Sequence, residues 1–182
     1  MRYHNIVVDT VNLAYRTFKT KKELPQRLGQ NEVYKESVKE FIRRMEQIEA
    51  EYMEEGGQIY FLIDNYYSRA DMQNIFTYAN RKELDEAYKA TRKKENREFY
   101  NSINLCRYYY LHMPEYYHTA RIEKLEADDL VKPLLETYCK DQTCLLITTD
   151  MDWTRYLSDK VHWLPDFGLP PQTTADMEGK LG

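Results

Sequence analysis

The sequence predicts an α/β fold: a mostly parallel central sheet with helices on both faces. Three short apolar runs, helical patterns between them and an acid at the end of each run carry that expectation. The runs "NIVVD", "QIYFLID" and "CLLITTD" end at Asp9, Asp64 and Asp150. Each is rich in Ile, Val, Leu or aromatics without strict alternation, the pattern of strands buried on both faces. Strand and helix in alternation imply right-handed crossovers within one sheet.

The elements follow in chain order. After the first strand, residues 12–18 read as a helix. From Tyr34, the positions Val38, Phe41, Met45, Ile48 and Tyr52 recur at spacings of three and four, which predicts a helix with one buried face that stops at Gly56-Gly57. The second strand leads to Asp64. Residues 66–97 form a long polar insertion, helical in its second half, and residues 117–122 hold a further strand. Residues 130–138 read as a helix, the third acid-ended strand follows, and "VHWL" at 161–164 is another strand. The end, "LPDFGLPPQTTADMEGKLG", is rich in Pro and Gly and reads as a loop or tail. The expected organisation is one domain over residues 1–164, with the insertion at 66–97, and a tail at 165–182.

At 182 residues and 22.0 kDa the chain can bury one good core. Hydrophobic residues at 42% and charged ones at 31% exclude a disordered or membrane chain. No apolar run approaches the roughly 20 residues that cross a bilayer, and "MRYHNIVVDT" is too short and too acidic for a signal peptide, so a cytoplasmic protein without membrane partners is expected. Cys106, Cys139 and Cys144 have no ligand-like spacing and are read as reduced thiols. The net charge of -4 runs against a nucleic-acid partner unless the acids are gathered in one place.

In sheets of this class ligands bind beyond the carboxyl ends of the strands, where Asp9, Asp64 and Asp150 would sit together. A fourth acidic group, "LEADDL", puts Glu126, Asp128 and Asp129 where a helix starts. Positions 126 and 129 are three apart, so both project from one helix face while Asp128 points elsewhere or caps. With Asp152, seven carboxylates have a claim on one site. Each alone could be a helix cap, Asp150 and Glu126 above all. Together, on one edge, they would repel strongly in a partly dry cleft without cations. Hard cations with oxygen ligands, Mg2+ or Mn2+, answer that need.

The stretches "IVVDTVNLAYRTF", "FLIDN", "RKELDEAYKATRKK", "LEADDL" and "LLITTDMDWTRYLSDKV" occur in an order and spacing that resembles the 5′-nuclease superfamily, the flap endonucleases and 5′-3′ exonucleases, closest to bacteriophage members. The resemblance covers about residues 4–164. It implies a PIN-like three-layer fold and two-metal hydrolysis of phosphodiesters in DNA or RNA-primed DNA. By motif, Asp9, Asp64, Glu126, Asp128, Asp129, Asp150 and Asp152 match the family's metal-site acids, with Glu126, Asp128 and Asp150 as inner ligands of two Mg2+ or Mn2+ ions. For a phage-encoded protein the cytoplasm would be that of the bacterial host.

The resemblance also gives the insertion a role, as a helical arch or gateway through which a single-stranded 5′ end or flap passes. Residues 81–97 carry seven basic side chains against four acids, a local balance of +3. Lys89 and Arg92 match the family's basic pair at the scissile phosphate, where they would stabilise transition-state charge. Tyr88 could stack on a terminal base, and Arg81 and Lys93 join the nucleic-acid surface. Asn12 and Arg16, in the family's "NLAYR" manner, orient an acid or contact DNA and a phosphate. The tyrosines of "RYYYLHMPEYYH" read as packing, and His112 and His118 as structural.

Two departures stand out. The family has Gly after its first aspartate, whereas here it is Thr10, which adds a Cβ where backbone or DNA would approach. The family domain is also followed by a helix-three-turn-helix module that grips duplex DNA, binds a monovalent ion and adds aspartates to the second metal site. No such pattern follows within these 182 residues, and nothing in the spacing of Asp166 or Asp176 supports either as a substitute; the expectation is then a complementing subunit, a minimal nuclease acting on single strands or short substrates, or a chain without strong catalysis. Two other classes stay open: a PIN-type single-strand ribonuclease, and a non-catalytic nucleic-acid-binding replication subunit.

Overall fold

The computed structural model describes residues 1–20, 30–64, 115–122 and 125–181. The 66–97 insertion, with Arg81, Tyr88, Lys89, Arg92 and Lys93, lies outside the described residues, as do Cys106, Tyr108, Tyr109, Tyr110 and His112. In chain order the described elements are β1 (Tyr3–Asp9), α1 (Thr10–Thr20), α2 (Gln30–Tyr52), β2 (Met53–Leu62), β3 (Tyr117–Ala120), α3 (Ala127–Thr137), β4 (Cys144–Ile147), a 3₁₀ helix (Met151–Tyr156), β5 (Val161–Leu164) and α4 (Thr174–Leu181).

The strands form one five-stranded sheet in the order β3-β2-β1-β4-β5, and every pairing is parallel. The pleat sends alternate residues to opposite faces. Ile6, Val8, Ile59, Phe61, Leu145 and Ile147 pack with Leu13, Phe41, Met45 and Ile48 of α1 and α2. Val7, Leu62, Cys144 and Leu146 pack on the other face with Leu130, Val131 and Leu134 of α3 and with Trp153. Both faces are therefore covered, which is why the strand sequences run apolar without alternation.

The register brings the strand ends level: Asp9 pairs with Leu62, Val8 with Ile147, Leu62 with Ala120 and Ile147 with Leu164. All five carboxyl ends thus lie on one edge. The chain leaves β1 toward β2 on one side and reaches β4 on the other, so the sheet reverses its winding between β1 and β4. That reversal opens a crevice at the carboxyl ends of those two strands.

Three expectations need correction. The helix of residues 34–52 does not run to Gly56-Gly57; it ends at Tyr52 and β2 begins at once. The glycines instead form an irregularity at the mouth of β2, between the pairs Tyr3–Met53 and Asn5–Gln58. Gly56 has φ +77, and a Cβ on Gly57 would sit 2.7 Å from Met53 Cγ and 3.0 Å from the His4 carbonyl, so glycine suits both places. Beyond Leu164 the chain is not simply a tail: Trp163 and Gln172 form an antiparallel bridge, α4 follows, and Met177 packs against the second core. Asp176 accepts from the Thr173 N–H and hydroxyl at 2.7 Å each and so closes the start of α4. Thr10, finally, opens α1 and is fully buried with its Oγ1 unpartnered, so its Cβ meets the core and not a ligand.

Among the described residues no helix is long and apolar enough to cross a membrane. Cys139 and Cys144 are buried and not disulfide-bonded, as read from the sequence. His118 is structural too, bonded to Gln58 at 2.7 Å and stacked on Tyr60. Tyr116 and Tyr117 pack: the first donates to Glu49 at 3.2 Å, and the second lies against Phe61.

Candidate active site

Asp9 closes β1 at the crevice. Its Oδ1 accepts the Asn12 backbone N–H at 3.0 Å and its Oδ2 accepts the Thr148 hydroxyl at 2.9 Å. Burial and, after it, the charge of Asp64 push its carboxyl up to about 7; the hydrogen bonds from Asn12 and Thr148 pull the other way, and the charge of Asp128 adds a last, smaller push upward. Asp9 is thus partly protonated near neutral pH.

The neighbouring acids are held by backbone. Asp64, two residues past β2, accepts the Ala127 N–H at 2.7 Å, which ties the end of β2 to the start of α3. Asp128, in the first turn of α3, accepts the Trp153 indole N–H at 2.7 Å. Asp150 caps the 3₁₀ helix by accepting the Asp152 N–H at 2.9 Å, and its own N–H donates to the Thr148 hydroxyl at 3.0 Å. Thr148 therefore joins Asp9 and Asp150 across the crevice.

Glu126 and Asp129 do not share a helix face as their spacing suggested. Glu126 is the N-cap of α3 and lies before its first turn, and Asp129 Oδ2 accepts the Glu126 N–H at 2.9 Å. That bond satisfies a backbone donor that the helix leaves open. Asp128, expected to point elsewhere, is the member of the cluster that acts on Asp9. Asp152 is exposed beside Asp150.

Asn12 faces the crevice and is committed to it. Its Nδ2 donates to Thr149 Oγ1 at 2.6 Å and its Oδ1 accepts the Thr149 N–H at 3.2 Å, a reciprocal pair between α1 and the turn after β4. The Arg16 guanidinium lies 4.6 Å from the Phe167 ring centroid and 3.8 Å from Asp166. Burial holds it below the usual arginine range, against the pull of Asp166; Asp9 acts on it only weakly. Its Nη1 is buried without a hydrogen-bond partner. Asp166, for which the spacing gave no support as a substitute ligand, is paired with Arg16.

Do these residues suit a divalent cation? A carboxyl raised first by burial and then by the charge of Asp64 is one that a hard cation would relieve, and oxygen donors are what such a cation takes, so the chemistry fits. As they stand, no three His, Cys, Asp or Glu side chains among the described residues form a group that could hold a metal ion. The acids are assembled, but not closed into a cage.

Sequence reasoning missed Thr148, Thr149, Trp153 and Trp163. Trp163 donates its indole N–H to the Thr148 carbonyl at 2.8 Å, so both tryptophans of the chain brace this edge. The available signal was the polar pair "TT" between a buried strand and its terminal acid. A cavity of about 950 Å³ lies elsewhere, lined by Lys132, Lys140, Arg155 and Lys160 near the amino ends of β4 and β5, and contains none of the predicted site residues.

A family model described as 5′-3′ exonuclease, N-terminal resolvase-like domain, matches residues 4–180. Among solved structures the chain is similar to the D15 protein of bacteriophage T5 co-crystallised with metal ions. The identity is 20% over 97% of this chain and 60% of that one, with a TM-score of 0.66. It is also similar to the flap endonuclease of that phage in a pseudo-enzyme-product complex with DNA and metal ions, at 20% identity, 97% and 60% coverage and a TM-score of 0.61. The T5 5′-exonuclease with zinc bound matches at 21% identity, 96% and 60% coverage and a TM-score of 0.60. No curated protein sequence matches the chain. The likeness to these structures is one of fold, and the chain spans about 60% of their length.

Proposed function

The chain belongs to the family of 5′-3′ exonuclease N-terminal, resolvase-like domains, and from that premise we propose that it is a divalent-metal-dependent 5′ nuclease. Its substrate would be DNA, or RNA-primed DNA, with a single-stranded 5′ end or flap. The observation that carries the reading is the coupling of Asp9 to Asp64 and Asp128 at the switch between β1 and β4, with Asp150 joined to Asp9 through Thr148.

Asp9, Asp64, Asp128 and Asp150 would hold the cations, two Mg2+ or Mn2+ ions, and Glu126, Asp129 and Asp152 would contribute from their places at the two helix starts. When bound, such ions supply a hydroxide at neutral pH and neutralise charge on the leaving oxygen. The chain's own residues do the rest. The backbone and Thr148 hold the acids in fixed orientations before any ligand arrives, which limits reorganisation during the reaction. Asn12 fixes the turn that carries Asp150, and its side chain is an orienting group in this reading. Lys89 and Arg92 would bear on the scissile phosphate, with Arg16, Arg81, Tyr88 and Lys93 along the strand. Residues 66–97 would form the gateway. Duplex binding would come from a further segment or a complementing subunit.

Cleavage of 5′-labelled flap DNA, single-stranded DNA and single-stranded RNA, with and without Mg2+, tests this. The expected result is Mg2+-dependent release from the 5′ side of DNA, abolished in Asp150→Ala. Wild-type protein that cuts none of the three, or Asp150→Ala that cuts equally well, would overturn it.

A further inference from the structure

Trp153 is wholly buried on the 3₁₀ helix, and its indole N–H needs an acceptor there. That acceptor is Asp128 Oδ1, at 2.7 Å. Asp128 belongs to the first turn of α3, so one hydrogen bond joins the two elements that bring "LEADDL" and "TTDMDW" to the site. Around it the contact is apolar: the Trp153 ring lies in the same core cluster as Ala127, Leu130, Val131 and Leu134. An aspartate near a helix start can turn about its χ angles. Here a rigid donor, itself locked by packing, takes one oxygen and fixes the plane of the carboxylate.

We propose that Trp153 is a positioning residue, whose indole N–H fixes the plane of the Asp128 carboxylate, the anchored side toward which the Asp9 and Asp64 edge closes when a divalent cation binds. The inference rests on the metal-dependent reading above. Trp153 acts through Asp128 and touches no reacting atom. Its ring and its N–H have separable jobs: Trp153→Phe keeps an aromatic ring in the core and removes the donor together with part of the indole's volume, so the wild-type indole signal is the readout that packing alone does not move.

The test uses the whole chain and two probes that do not depend on cleavage. The two indole N–H signals are followed by proton NMR as MgCl2 is added, with the Trp153 signal identified by its loss in Trp153→Phe or by selective labelling. Mn2+ affinity is measured by electron paramagnetic resonance for wild type and Trp153→Phe. The Trp153 signal should move with Mg2+, and Trp153→Phe should bind Mn2+ about tenfold or more weakly, in the range set by loss of an outer partner of a metal ligand. Cleavage by Trp153→Phe should need correspondingly more Mg2+ and recover at saturating metal. An indole signal that stays in place while Mn2+ binds, or an affinity within about twofold of wild type, overturns the proposal. If Trp153→Phe does not fold, the wild-type signal decides alone. Wild type that moves its indole signal but cuts no substrate overturns the nuclease reading and supports this one; wild type that cuts with an unmoved signal does the reverse.

Discussion

Near the amino ends of β4 and β5, Lys132 meets Glu136 at 3.8 Å and Lys160 meets Asp141 at 4.0 Å, all more than half exposed. At the carboxyl ends of β1 and β2, the charges that act most on buried Asp9 are those of two more acids, Asp64 and Asp128. The same sheet therefore ends in neutral, solvated pairs on one side and in concentrated like charge on the other. Exposed pairs stabilise a fold by less than about 1 kcal/mol and ask little of it. Like charges beside a buried carboxyl disfavour the fold at neutral pH, the kind of arrangement that perturbed functional sites share.

The largest effect expected at the carboxyl edge is on cleavage. Asp150→Ala should lower the rate on flap DNA by more than the roughly 10–100-fold typical of outer partners, because the proposed function counts its carboxylate among the cation's own ligands. Next comes the stability of the metal-free chain. Asp9 is raised to about 7 in the fold, above its ordinary 3.8. Its protonated form is thus favoured by folding, and that contribution is complete below about pH 4 and lost as pH rises through 7. Wild type in EDTA should accordingly lose about 2–3 kcal/mol of stability between pH 5 and pH 8 in urea titrations, a pH-dependent loss absent from Asp9→Asn, whose NH2 meets the Asn12 N–H or the Thr148 hydroxyl at every pH. Added Mg2+ should stabilise wild type at pH 8 by about 2–3 kcal/mol at a hundredfold excess over its dissociation constant, and Asp9→Asn by less. Asp129→Ala should lose about 1 kcal/mol in EDTA through the start of α3, where its carboxylate accepts the Glu126 N–H. At the opposite end, Glu136→Gln should change stability by less than about 0.5 kcal/mol in the same titrations, and a larger loss there would erase the contrast.

Much of this edge was legible in the sequence. Strands buried on both faces announce themselves by apolar runs, and acids at their ends are carried to one edge by parallel pairing alone. What was not legible depends on backbone geometry and on distance through space. Gly56-Gly57 looked like a helix stop because glycine serves stops and strand irregularities equally well. Glu126 and Asp129 looked like one helix face because spacing does not say where a helix begins; once Glu126 is the N-cap, the same spacing makes a cap pair. The "TT" pair marked Thr148 as polar at a strand end but could not name its partner, and Trp153 carried no signal, since their partners lie 139 and 25 residues away. The segment after Leu164 was read from composition, which hid the Trp163–Gln172 bridge.

The Thr148 hydroxyl has a single proton. One of the two lone pairs on its oxygen accepts the main-chain N–H of Asp150, and the proton is donated to Asp9 Oδ2. An amide cannot reverse the bond by giving its hydrogen away. The loop after β4 thus sets a direction of hydrogen donation that ends on β1, and it addresses Asp9 as an acceptor even while burial favours the acid form. A change in the path of that loop would be felt at Asp9 as a change of polarity, with no side chain in the crevice altered.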